Sequence, residues 1–367
     1  MADPKRLLKI RTIRATTRAY EAWMGERIPI VVRDLRTKHR LLSESPFAFL
    51  RGTYYRWAEA FPVVCPKLAA RTRVPAVGDP HIENFGTWRD AEGRLAWGVN
   101  DLDEAHPLAW TADLVRLATS VRFAIADGDL RIDPKPACAA IRDGYATALG
   151  QGGRPFVLAE EHLWLGDLAA NRLKKPGEFF RHLRASTRPA TPPKELSRLL
   201  RSALPAGAEQ ISFAARTAGV GSLGRPRWFA VGLSMGGFVA REAKSSLPSA
   251  HVFLTGETPA VDTQSQILAH AVRSRDPMLQ YGHGWTIRRL PPSNARVEVA
   301  ELSSARDRVR LLQAMGSEVA NIHLADRKAA AVALRELGAT RKSFLEESSA
   351  AMEQAVRHDF GVYGRRR

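Results

Sequence analysis

The chain is short of cysteine, of long apolar runs and of acids to match its bases, and each shortage excludes something. Two cysteines in 367 residues, Cys65 and Cys138, cannot build a disulfide framework or a thiolate metal cluster, which predicts a reducing compartment. No stretch approaches the ~18 consecutive apolar residues of a membrane span. The basic N-terminal segment, MADPKRLLKIRTIRATTRAYEAW, lacks the apolar core of a signal peptide. A soluble cytoplasmic protein is therefore expected. The excess of bases gives a net charge of +17, which favours partners bearing phosphates: a nucleotide, a phosphorylated substrate or nucleic acid. Nucleic acid is the weakest of the three, because the charges are spread along the chain and no basic run is interleaved with aromatics.

What the chain does have is length and apolar content. With 45% of residues hydrophobic, it can bury a real core and divide into two lobes. Residues 5–25 carry Leu7, Leu8, Ile10, Ile13, Tyr20 and Trp23 at helical spacing, which predicts an amphipathic helix. Ser45-Pro46 opens a second predicted helix, from Phe47 to about Phe61. A third is predicted from Thr111, as N-cap, to about Ala126, with Asp113 in its first turn. Residues 131–203 are mostly helical by pattern and interrupted by prolines. Near residue 206 the texture turns to β: strands are predicted over Gln210–Ala218, Trp228–Leu233 and Phe238–Lys244, with Ser234-Met235-Gly236-Gly237 as a hairpin turn. A helix from Asp262 to Arg275, strands at Gly284–Pro292 and Val297–Leu302, and helices from Ser304 onward complete the reading.

The richest stretch is Gly78-Asp79-Pro80-His81-Ile82-Glu83-Asn84-Phe85-Gly86, answered by Asn100-Asp101-Leu102-Asp103-Glu104. A loop followed by a hairpin would bring Asp79, Asn84 and Asp101 to one mouth. Two carboxylates and an amide oxygen there suit a hard cation such as magnesium, with a carboxylate left to orient a hydroxyl. The bland reading is a polar loop with capping side chains.

GD-x-H-x-x-N followed by an acidic strand end resembles the catalytic and metal loops of aminoglycoside phosphotransferases and other protein-kinase-like enzymes. Taken with Ser45-Pro46-Phe47-Ala48-Phe49-Leu50-Arg51-Gly52 before it and Trp110-Thr111-Ala112-Asp113-Leu114-Val115-Arg116 after it, it is similar to the bacterial family called domain of unknown function 2252. The kinase resemblance implies roles. Asp79 would deprotonate an acceptor hydroxyl, Asn84 and Asp101 would hold Mg2+, and Asp103 or Glu104 would assist a second ion or contact substrate. His81 would shape the loop, and Asp113 would hold the loop's backbone.

Gly219-Val220-Gly221-Ser222-Leu223-Gly224 lies between predicted antiparallel strands, as in a kinase phosphate flap, where glycine backbone approaches phosphates closely. Either Arg241 or Lys244 on the returning strand would pair with those phosphates. They differ by three and so point to opposite faces of a regular strand. The family often has Lys where this chain has Arg241. No partner Glu is obvious on the following helix. The glycine loop follows the catalytic loop, the reverse of the ordinary kinase order. The implied fold is thus α+β, kinase-like, two-lobed and circularly permuted: 1–205 helical, 206–302 β-rich and nucleotide-binding, 303–367 helical again. The implied function is ATP-dependent phosphotransfer to an unidentified acceptor, a small molecule or a protein. Transfer of AMP, or nucleotide binding without catalysis, are the alternatives.

Overall fold

The computed structural model describes residues 3–158, 162–170, 175–185, 188–292, 302 and 304–364. The architecture is mixed α+β. Its strands are β1 (Arg73–Ala76), β2 (Phe85–Arg89), β3 (Leu95–Val99), β4 (His106–Ala109), β5 (Phe156–Val157), β6 (Arg188–Pro189), β7 (Glu209–Ala215), β8 (Arg227–Ser234), β9 (Gly237–Ser245), β10 (Gln280–Gly282) and β11 (Trp285–Arg289). Among the described residues they form an antiparallel six-stranded sheet in the order β10-β11-β9-β8-β7-β6, a three-stranded sheet β2-β3-β5 and the pair β1-β4.

Local chemistry explains where several predicted elements break. The N-terminal segment is not one helix: a 3₁₀ turn, Pro4–Lys9, ends at extended Ile10, and a new helix, Ile13–Gly25, starts on the Thr12 hydroxyl, which accepts from the Ala15 N–H. The helix expected over 47–61 is two, Pro46–Gly52 and Tyr54–Val64. Thr53 leaves helical geometry between them, and its hydroxyl donates to the Phe49 carbonyl at 2.6 Å. Thr111 is no N-cap. The helix Trp110–Ala126 already contains it, and its hydroxyl donates to the Leu68 carbonyl at 2.8 Å. The helix expected to reach Arg275 spans Thr263–His270, capped by Asp262. The strand expected at Val297–Leu302 lies, apart from Leu302, outside the described residues.

The largest core joins the first 158 residues to the C-terminal helices. Trp97, Trp110, Phe123 and Tyr145 are buried there with Leu311, Val319 and Met352. The six-stranded sheet has a core on each face. Phe229, Val231 and Ala240 pack on one face with Phe180 and Leu183 of the helix Pro176–Ala185. Ala230, Ala243 and Ile287 pack on the other with Leu196 and Leu200 of the helix Lys194–Ala203. The alternation along β8 and β9 is that of a sheet covered on both sides. The sheet's covering helices therefore begin at 176, thirty residues before the change of texture at 206. Conversely, Ala250 and Ile267, on helices after β9, join the large core.

The helices Pro134–Gln151 and Ala305–His323 approach so closely that a Cβ on Gly144 would lie 2.0 Å from the Gln313 carbonyl oxygen, and one on Gly316 2.1 Å from that of Ile141. Backbone cannot yield as a side chain does. Gly144→Ala and Gly316→Ala should each destabilise the fold by about 1–3 kcal/mol, measured by urea unfolding. Gly338→Ala, at a helix end with open space around it, should stay within about 0.5 kcal/mol.

Candidate functional site

One wall of the site is built from buried backbone. β1 leads into the loop carrying Asp79, and β2 and β3 pair as a hairpin with Phe85 opposite Val99, which returns the chain to Asp101. The fully buried Asp113 carboxylate accepts from the Val77 and Gly78 N–H groups at 2.7 and 2.9 Å. Its orientation is set by His323 Nε2 at 3.0 Å, whose other ring nitrogen meets the Tyr145 hydroxyl at 2.8 Å. Gly78 has φ +81°, and a Cβ there would fall 2.2 Å from the Glu104 carbonyl oxygen. Only glycine lets the two acidic loops lie against each other at that point.

Asn84 joins the same two loops. Its amide group donates to the carbonyls of Asp79 and Asp101, both at 3.0 Å, and its Oδ1 accepts from the Asp101 N–H at 3.0 Å. The carboxamide is thus engaged on both sides in backbone bonds, and the geometry makes it a clamp between loops rather than an open ligand. Asp79 Oδ1 accepts from Arg116 Nε at 2.7 Å, and Arg116 is itself completely buried.

The opposite wall is the segment between β7 and β8 and the sheet face behind it. Gly219 and Gly224 have φ of +75° and +96°, left-handed conformations that suit glycine. The segment is pinned to the helix Val32–Leu42: Val31 N–H donates to the Gly224 carbonyl, Thr217 Oγ1 to Asp34, and Lys38 Nζ to the Gly221 carbonyl at 3.0 Å. Strand parity decides between the two candidate cations. Arg241 points to the face covered by the helix Lys194–Ala203, where it donates to the Ala203 carbonyl at 2.7 Å. It does not join the site. Lys244 points the other way, its Nζ 2.7 Å from both Asp101 Oδ2 and Asp103 Oδ2.

Between the walls lies a cavity of about 480 Å³. Asp79, His81, Asn84, Asp101 and Asp103 line it from one side, and Gly219, Gly221 and Ser222 from the other. Gly224 is buried against Leu35 beyond it. The cations that dominate the glycine-bearing wall, Arg216, Arg225, Arg227 and Arg288, were not among the residues singled out from the sequence. Arg225 reaches across to Asp103 at 3.1 Å and Glu104 at 3.6 Å. Glu242 is wholly buried beneath the other three. A signal existed in part: Arg227, Glu242 and Lys244 have the parity of one face, with Arg227 opposite Lys244 and Arg288 opposite Glu242 in register.

Charges crowd the cavity and shift one another. Burial pushes the Asp79 carboxyl up, against the pull of Arg116. Whatever burial costs Asp101, whose side chain is still 42% exposed, Lys244 outweighs it and holds the carboxyl well below the usual carboxylate range. Asp103 is raised by burial and by the neighbouring Asp101. Glu104 is pushed up to about 7 by burial, although Arg225 and the Ala250 N–H oppose this. Burial, followed by the nearby Arg225, brings Lys38 down to about 8.

Fold and site together define a mixed α+β protein with a charged cleft between an acidic wall and a cationic, glycine-bearing one. The profile of a family described as an uncharacterized protein conserved in bacteria, DUF2252, matches residues 30–160. That span holds the whole acidic wall together with Asp113 and Arg116, and ends before the cationic wall begins. No curated protein and no solved structure matches the chain. Among the described residues no group of three or more His, Cys, Asp and Glu side chains forms a ready metal cage. Nor is any described helix long and apolar enough to cross a membrane.

Glu104 yields a prediction with a definite sign. Its folded value, about 7, lies above the ordinary 4.5, so the fold takes up a proton that the unfolded chain releases. That stabilisation is present below pH 4.5 and is lost as pH rises through 7. Compared with Glu104→Gln, the native chain should lose up to about 3 kcal/mol more stability between pH 4.5 and 8, measured by denaturant unfolding at each pH. Parallel profiles would remove Glu104 from the account.

Proposed function

We propose that the protein is an ATP-dependent phosphotransferase of kinase-like, circularly permuted fold, acting on the hydroxyl of a small molecule. The observation that carries this reading is the cleft itself: Asp79, Asp101 and Asp103 face Gly219, Gly221 and Ser222 across a cavity of about 480 Å³, and Lys244 is ion-paired with Asp101 and Asp103. Phosphoryl transfer needs positioning and charge neutralisation more than covalent chemistry by the protein, and this cleft is rich in both. The Asp113 carboxylate bound to the backbone just before Asp79 agrees with the same reading.

Magnesium fits the residues present, with Asp103 beside Asp101 in place of Asn84. Asp101 and Asp103 already converge on one cation, the Lys244 ammonium, which stands where a hard ion would be welcome. Asn84 contributes by tying the Asp101 backbone to the Asp79 loop. Two carboxylates are few for a complete cage, as is usual where phosphate oxygens and water complete magnesium's shell. When bound, magnesium ATP supplies the phosphoryl group and neutralises charge developing on it. The chain's own residues do the rest. Lys244 would pair with phosphate oxygens in place of Arg241. Gly219, Gly221 and Ser222, which line the cavity, would cover them. Asp79 Oδ1 is held by Arg116, which leaves Oδ2 to take the acceptor's proton. His81, on the cavity's edge beside Asp79, shapes the loop.

The Asp79–Arg116 ion pair favours a second reading, nucleotide binding without transfer, because a carboxylate so paired is a weaker base. Thermal shift with ATP and magnesium, followed by γ- and α-labelled ATP assays, separates the cases. Asp101→Ala should abolish the magnesium-dependent shift. Asp79→Asn should retain the shift and lose turnover by about 10²–10⁴-fold. Label transfer from the α position would mean AMP transfer, and a shift with no transfer of either label would favour the second reading. An unchanged magnesium-dependent shift in Asp101→Ala would falsify the placement of the metal.

A further inference from the structure

Behind the glycine segment three arginines converge on one carboxylate. Glu242 is completely buried on β9. Its Oε2 accepts from Arg227 Nη1 at 3.0 Å and from Arg288 Nε and Nη2 at 2.8 and 2.7 Å, while its Oε1 accepts from Arg216 Nη1. Arg227 reaches further, donating through Nη2 to Ser222 Oγ at 2.7 Å. Glu242 supplies one carboxylate to three guanidinium groups, and the further acids that act on Arg288, Asp101 and Asp103, are already paired with Lys244. Each guanidinium has five N–H donors, and Glu242 and Ser222 engage only a minority of them. All three arginines line the cavity, and the side chains of Arg216 and Arg288 are 29% and 27% exposed to it and to solvent.

A carboxylate surrounded in this way works as a scaffold. It fixes the planes of three guanidinium forks without cancelling their charge, so the ordering cost of holding long side chains is met before any ligand arrives. Planar forks match phosphate oxygens in pairs, which a lysine ammonium cannot do. Lys244 is meanwhile held between Asp101 and Asp103, so the N–H donors left over for a ligand on this wall belong to the arginines.

We infer that Arg216, Arg227 and Arg288, scaffolded by Glu242, form a polyphosphate-binding subsite, in which guanidinium groups hold the non-transferred phosphates of the nucleotide beneath the glycine segment. This rests on the phosphotransferase reading for the identity of the ligand, but not for the chemistry of the subsite. Inorganic tripolyphosphate, which has the phosphates without the nucleoside, should bind in the absence of metal, and its affinity should fall steeply with salt.

The test is calorimetric titration of the full chain with sodium tripolyphosphate in metal-free buffer, and separately with magnesium ATP. Arg216→Gln and Arg288→Gln, both partly exposed, should fold and weaken tripolyphosphate at least tenfold. Arg341→Gln, on the surface far along the chain, should leave it unchanged. Glu242→Gln frees three arginines from their counter-charge, so its melting temperature should rise more on adding tripolyphosphate than that of the native chain. Tripolyphosphate binding that is absent, or equal in native, Arg216→Gln and Arg288→Gln chains, overturns the subsite. Magnesium ATP turnover unaffected by those two variants would do the same and leave the phosphotransferase reading standing. Arginine-dependent tripolyphosphate binding without nucleotide turnover would keep the subsite and remove that reading.

Discussion

The arrangement depends on one ion pair, Lys244 with Asp101 and Asp103. It is the point where the large sheet meets the acidic loops, and both carboxylate oxygens lie at 2.7 Å from a single ammonium. Lys244 and Asp103 are largely withdrawn from water, so removing either partner would leave a charge with poor solvation, which typically costs about 3–5 kcal/mol. The contact also explains the opposite shifts of the two acids. Burial raises Asp103 and repulsion from Asp101 adds to that, while Lys244 holds Asp101 low. Arg225 repeats the theme a few ångströms away by reaching Asp103 and Glu104. The two walls are held together by attraction between unlike charges, and the cavity lies between them.

Each wall is rigid for a different reason. The acidic wall is a backbone structure: Asp113 holds the Val77 and Gly78 amides, Asn84 ties two loops, and Gly78 admits the close approach of Glu104. The cationic wall is a side-chain structure, in which Glu242 gathers arginines from β8, β11 and the segment after β7. A charged residue on one wall therefore has a fixed backbone beneath it, and one on the other has a fixed partner. Such preorganisation is what a site needs if charge is to be stabilised without reorganisation at the moment of reaction. The glycine segment belongs to both, being pinned by the helix Val32–Leu42 and bonded through Ser222 to Arg227.

Much of this was open to reading from the chain alone, and the division has a physical cause. Local features were legible: the acidic loop and its hairpin, the Ser234–Gly237 turn, the strands β8 and β9, and the Asp113 position in its helix. Each depends on residues within a few places of one another. Helix ends were less so, because Thr53 and Thr111 spend their hydroxyls on particular carbonyls that sequence does not mark. The parity of β9 separated Arg241 from Lys244 but could not say which face met the acids. Asn84 looked like an open ligand because its three backbone partners come from two loops that are brought together only by folding.

By itself, then, the sequence determined the periodicities, the turn chemistry and the stock of charges; that the acidic stretch meets the glycine-bearing one was only what a resemblance implied. The tertiary structure alone decided that helices from residue 176 onward cover the sheet, that Arg116 reaches Asp79, and that three arginines share Glu242. Those contacts join residues from 15 to about 110 positions apart. Their energies arise from burial and from opposed charges in low dielectric, which no local window of sequence contains.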